Sequence, residues 1–173
     1  MTEMVVVMGI AAVLMGLGVP SYRYVTNSNR MSAEVNALLG DMQFARSQAL
    51  REGRTVTICI SGNGTACAGG TTYTWQSGWV VFSDLNNDGV IGASDPVLRV
   101  QRKLSSSDDL QDAARSVTQV KFNREGFATG LPNAGALLVL HDKTANKAWT
   151  RCLSLSMVGL LITQTNATNA GCI

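Results

Sequence analysis

Along the chain, hydrophobic and polar positions follow three successive patterns. From Met4 to Val19 the residues MVVVMGIAAVLMGLGV form a run of sixteen without a charge. As an α-helix this run spans ~24 Å, short of the ~30 Å hydrocarbon core of a bilayer unless the helix continues. It does continue. Past Pro20 the apolar positions Met31, Val35, Leu38, Met42, Ala45 and Ala49 recur at alternating steps of four and three, on one helical face. Arg30, Glu34, Asp41, Arg46 and Arg51 occupy other positions. Gly53, just after Arg51, is a C-terminal stop signal. The pattern predicts one helix of about fifty residues, apolar all round at first and one-sided later. Pro20 should kink it without ending it, because a membrane or packed bundle can satisfy the freed carbonyl.

After Gly53 the period shortens. Thr55–Ile60, Trp79–Ser83, Val97–Lys103, Val117–Phe122, Leu137–His141, Trp149–Leu155 and Met157–Thr163 are short β-rich runs divided by Gly, Asn, Asp and Ser clusters. Seven strands after one long helix predict an α+β fold, with antiparallel sheets packed on the helix stripe. Three segments follow: 1–22, the transmembrane half of the helix; 23–53, its amphipathic half; and 54–173, a β-rich globular domain.

Composition sharpens this picture only in part. The 173 residues are 46 % apolar and 15 % charged with a net charge of +2, which excludes a disordered chain and gives no general pull toward nucleic acid. No positive n-region precedes the apolar run and no small-residue cleavage site follows it, so it does not read as a secretory signal peptide.

The four cysteines, Cys59, Cys67, Cys152 and Cys172, contain no CxxC, and His141 is the sole histidine, so a zinc site would be unusual. They allow three disulfide pairings. The local one, Cys59–Cys67 with Cys152–Cys172, closes two short loops and would suit an oxidising compartment such as the bacterial periplasm.

Three further patterns carry candidate chemistry. Asp84-Leu-Asn86-Asn87-Asp88-Gly89 has the spacing of a calcium loop, with Asp95 at its twelfth position. That position ordinarily holds a bidentate Glu, and Pro96 follows where a helix would exit, so a polar interstrand turn is the simpler reading. Arg99, Arg102 and Lys103, with Lys121 and Arg124 in reserve, form the best basic cluster for phosphate contacts; its plain alternative is a solvated strand face. His141-Asp142 lacks the nucleophile or motif that a hydrolase needs, and no enzyme is expected. Trp75, Trp79 and Trp149 read as sheet-packing residues more readily than as a contact patch.

Glu3 followed by MVVVMGIAAVLMGLGVPSYR resembles the N-terminal segment of type IV pilins and type II secretion pseudopilins. In that class a leader ends in Gly, cleavage by a prepilin peptidase exposes a methylatable Phe, and a Glu stands at the fifth mature position. The resemblance assigns that role to Glu3, which would pair with a neighbouring subunit's N-terminal amine, and places the helix kink at Pro20. It also places two mature residues and the leader upstream of Met1. The segments AEVNALLGDMQFARSQALREGRTVTIC, SGWVVFSDLNNDGV and DPVLRV resemble the GspH/FimT family. That resemblance implies a single-pass inner-membrane subunit with a periplasmic domain, surrounded by other pilin or pseudopilin subunits, that helps prime a type IV pilus or a type II secretion filament. The alternative is a DNA-binding minor pilin for natural transformation. Some FimT-like pilins carry a C-terminal Gly-Arg-x-Arg motif for DNA; the equivalent stretch here, Gly159-Leu160-Leu161-Ile162, has no arginine.

Overall fold

A computed structural model describes residues 2–68, 74–104, 108–112, 116–132, 135–168 and 171–172. Helix α1 runs through Thr2–Glu52, 51 residues, unbroken at Pro20, whose side chain lies outside the described positions. Glu3 in its first turn and Arg51 in its last complement the helix dipole. Gly53 ends it: with φ 65° it enters the left-handed region and donates its N–H to the Ala49 carbonyl. The predicted stripe is the buried one, with Met31, Val35, Leu38, Met42, Ala45 and Ala49 all within 2 % of complete burial. By contrast, the described large apolar side chains between Met4 and Val25 are exposed.

Two antiparallel sheets pack on that stripe. The first has the order β3-β2-β1-β5-β6, with β1 at Val56–Ile60, β2 at Gly78–Ser83, β3 at Val97–Arg102, β5 at Gln119–Phe122 and β6 at Ala128–Thr129. The second has the order β4-β7-β8-β9, from Asp109–Asp112, Gly135–His141, Arg151–Ser156 and Leu161–Thr165. One core joins α1 to both sheets: Val56, Ile58, Val120 and Phe122 from the first meet Leu110, Leu138, Leu140 and Leu153 from the second.

Strands β1 and β2 are buried on both faces. On the outer face Cys59, Val80 and Phe82 are covered by Cys67 and Ile91 from the flanking loops. The Cys59–Cys67 disulfide ties its loop down there. Cys152–Cys172 holds the C-terminus on the outer face of the second sheet, beside Val139.

The α+β architecture agrees with the sequence pattern, and three strand expectations change. Asp109–Asp112 is a strand although two of its four residues are acidic. Leu110 and Asp112 point inward, and the Asp112 carboxylate is buried at no great cost because it accepts the N–H groups of Ser116 and Val117 and the Ser116 hydroxyl. The two-residue β6 was also unmarked. The run predicted over Met157–Thr163 instead begins with a turn, since Gly159 has φ 75° and donates to the Ser156 carbonyl; β9 starts only at Leu161.

Candidate assembly surfaces

The largest uncovered feature is the first half of α1. It is long and apolar enough by length and composition to cross a membrane, and its apolar window has no part buried against the rest of the chain. Val5, Val6, Val7, Met8, Leu14 and Met15 are each at least 60 % exposed, a surface stable in water only if lipid or other helices cover it. Glu3 sits exposed at the start of that surface. A carboxylate there is costly in hydrocarbon unless a cation meets it.

Residues 84–95 fold as a turn held largely by its own hydrogen bonds, with Asp84 Oδ1 buried and unpartnered among the described residues. Buried Asp84 accepts the Thr57 hydroxyl (3.0 Å) and the Gly89 N–H (2.9 Å) on Oδ2. Asp95 accepts the N–H of Leu85 at 3.0 Å and of Gly92 at 2.8 Å. The Asn86 amide donates to Asp88, whose other oxygen accepts the Val90 N–H. The Lys121 ammonium donates to the Asn87 carbonyl at 3.0 Å and stands 3.8 Å from Asp84 Oδ2. The loop's positive charge is therefore a tethered lysine. Among the described residues no group of three or more His, Cys, Asp or Glu side chains is placed to hold a metal, and Asp84, Asn86, Asp88 and Asp95 all take part in the turn's own hydrogen bonds.

The basic cluster also disperses. Arg99 and Arg102 are three residues apart on β3 and therefore leave opposite faces of the strand. Arg99 turns toward α1, where it pairs with Asp41 at 2.8 Å and lies 3.7 Å over the Phe44 ring. Arg102 and Lys103 are exposed, Lys121 is engaged as above, and Arg124 pairs with Glu125. Arg99, Arg102 and Lys103 are thus not one phosphate-binding face. His141 closes β7 opposite Asp109.

Trp75 and Trp79 are core residues, donating their indole N–H groups to the Val117 carbonyl and to Asp41, both at 2.8 Å. Trp149 is half-buried and packs its ring 6.1 Å from Tyr24 on α1. A residue whose role the sequence pattern did not reveal is Arg46: it donates to the carbonyls of Gly159 (2.7 Å) and Val158 (3.1 Å), clamping the β8–β9 turn to the end of the helix. Nothing in the local sequence marks an arginine that binds carbonyls more than a hundred residues away.

A long helix with an uncovered apolar half, carried by a two-sheet domain, needs lipid or other helices to complete its burial. Residues 34–159 match the family described as type II transport protein GspH. The chain belongs to the GspH family. Its members are pilin-type structural proteins, not enzymes. The fold is similar to that of the type IV minor pilin FimU of Pseudomonas aeruginosa, with a TM-score of 0.63 at 18 % identity, covering 83 % of this chain and 94 % of that one. It is also similar to the minor pseudopilin EpsH of the Type 2 Secretion System of Vibrio cholerae: TM-score 0.53, 10 % identity, 79 % and 97 % covered. No curated protein matches. The GspH-family match begins at Glu34, so the apolar half of α1 and Glu3 lie outside it.

Proposed function

We propose that this GspH-family chain is a minor subunit that enters a type IV pilus or type II secretion filament near its tip and helps prime assembly. The observation that carries this reading is the exposed apolar half of α1, joined without a break to the buried stripe of the same helix. Before assembly Met4–Val19 sits in the inner membrane, where single-pass anchoring leaves the globular domain in the periplasm. Both disulfides suit that compartment. In the filament the same apolar surface is buried against neighbouring helices. Glu3 sets the register there, because a carboxylate among apolar helices is strongly penalised until a subunit's amine meets it.

Priming has its own test. In cells deleted for this chain, filament number or secretion falls, and the full-length chain restores it while residues 28–173 alone do not. Unchanged assembly in the deletion strain would contradict a priming role.

A further inference from the structure

The loop between β7 and β8, residues 142–150, lies where α1 enters the globular domain. Trp149 packs its ring 6.1 Å from the Tyr24 ring. Behind it Arg151 donates to the hydroxyls of Ser28 (2.9 Å) and Ser32 (3.2 Å) on α1. The same guanidinium donates to the carbonyls of Ala148 (3.2 Å) and Thr150 (3.0 Å), so one side chain fastens the loop to the helix. Inside the loop, Asp142 accepts the Thr144 hydroxyl and the Asn146 N–H. The Asn146 carbonyl accepts the N–H groups of Trp149 and Thr150. The loop therefore keeps a fixed height along α1.

Tyr24 marks that height. Tyr22 and Tyr24 stand three and five residues beyond Val19, roughly 5 and 8 Å along the axis from the end of the apolar run. The headgroup layer on each side of a bilayer core is about 5–7 Å thick. Aromatic side chains on a helix lean back toward its N-terminus, so both rings reach this layer when Met4–Val19 fills the core. They are 74 % and 51 % exposed, and Tyr and Trp are the side chains that settle at such a boundary. Trp149, from a distant part of the chain, is brought by the fold to the same level.

Charge points to the same surface. Across residues 21–32 and 142–150 the exposed charges are Arg23, Lys143 and Lys147, all positive. Asp142, the one carboxylate in these two stretches, is half-buried and engaged inside its own loop. The nearby Glu34 and Asp108 are buried and paired with Arg30. Cations beside an aromatic pair at headgroup depth complement anionic phospholipid: the phosphates meet the cations and the rings take the boundary. Nucleic acid would find the same three cations, but only where the leaflet already stands.

We infer that the β7–β8 loop is a membrane-docking edge. Before assembly Lys143, Lys147 and Arg23 hold the globular domain down on anionic phospholipid headgroups, with Trp149 and Tyr24 seated among them. The inference rests on the membrane anchoring proposed above and goes beyond it. The domain does not swing freely on its helix but is held at one tilt, and leaving the membrane must lift it off the leaflet. Each cation near an anionic leaflet favours contact roughly fivefold, so losing both lysines should lower the docked-to-lifted ratio roughly thirtyfold.

The test reconstitutes the full chain in vesicles of phosphatidylcholine, with or without phosphatidylglycerol, that carry a nitroxide on some headgroups. Tryptophan quenching is read. Trp75 and Trp79 are buried in the core, so Trp149 is the one the nitroxide should reach, and Trp149→Phe should abolish the signal. Quenching should be stronger with phosphatidylglycerol. It should fall to the phosphatidylcholine level in Lys143→Glu with Lys147→Glu, and in about 1 M salt, which screens charges beyond about 3 Å. Every form should still float with the vesicles. Equal quenching in the two lipids, or quenching that ignores salt or the double glutamate variant, overturns the docking edge and leaves membrane anchoring standing. Quenching that survives Trp149→Phe does the same. Should the double variant fail to fold, the lipid and salt dependence of the wild type decides. A wild-type chain that floats with neither kind of vesicle overturns both.

Discussion

Asp41 joins three elements through one carboxylate: from α1 it accepts the Trp79 indole on β2 and the Arg99 guanidinium on β3. Asp41→Ala leaves a buried indole N–H without a partner and should cost about 1–3 kcal/mol, read as a lowered melting temperature in detergent micelles. Arg99→Ala loses a half-exposed ion pair and its stack on Phe44, worth only about 1 kcal/mol. Acid should act through carboxylates of the same kind. Burial opposes ionisation of Asp112, but the Val117 and Ser116 N–H groups and the Ser116 hydroxyl prevail and hold its pKa below the ordinary value. At Asp142 burial again opposes ionisation, and bonds from the Thr144 hydroxyl and the Asn146 N–H outweigh it. A carboxylate depressed in the fold contributes stability that is full above its unfolded pKa, about 3.9, and is lost as pH falls through the lower folded value. Thermal stability should therefore drop below about pH 4, and Asp112→Asn, less stable at neutral pH, should show a shallower drop. These partners were not legible in the sequence. Asp41 and Arg99 are 58 positions apart, and periodicity marks which face a side chain takes but not what it meets across the core.

The long helix was the most legible element, because its period persists from Met31 to Ala49 and Gly53 ends it. Strands were legible where the run was continuously apolar and β-branched or aromatic, as in β1 and β2, and illegible in β4, where an inward Asp112 breaks the pattern yet is satisfied locally. Loops were less legible: Asp84 to Asp95 has the residues of a cation loop, and nothing in that stretch shows that Lys121, on a strand distant in sequence, donates to its Asn87 carbonyl. Two element-level outcomes follow. Met42→Ala empties a fully buried site in the helix stripe and should cost about 2–5 kcal/mol. Removing the Cys152–Cys172 disulfide, whose cysteines are 20 residues apart, by changing both to serine should cost about 3 kcal/mol and loosen the C-terminus, seen as faster amide exchange in β9. Unchanged exchange there would show that the disulfide does not hold that edge.

For the whole molecule, the two halves of α1 differ: the N-terminal half is apolar and uncovered, while the C-terminal half organises the domain. DNA has little place in that arrangement. The basic residues Arg99, Arg102 and Lys103 are split between faces, so duplex binding should stay at the non-specific level (Kd roughly 10⁻⁴–10⁻⁶ M at physiological salt) with a shallow salt slope. Fluorescence anisotropy checks this, and sub-micromolar binding lost in the triple alanine variant would contradict it. The exposed apolar half of α1 carries the proposal of burial in a filament, with Glu3 setting the register. Its most direct measurement compares wild type and Glu3→Ala in membranes and in sheared filaments of the same cells. Removing the one charge beside the apolar run should leave membrane retention intact or improved, while filament incorporation falls at least tenfold. Equal amounts of mutant and wild type in purified filaments would contradict the account.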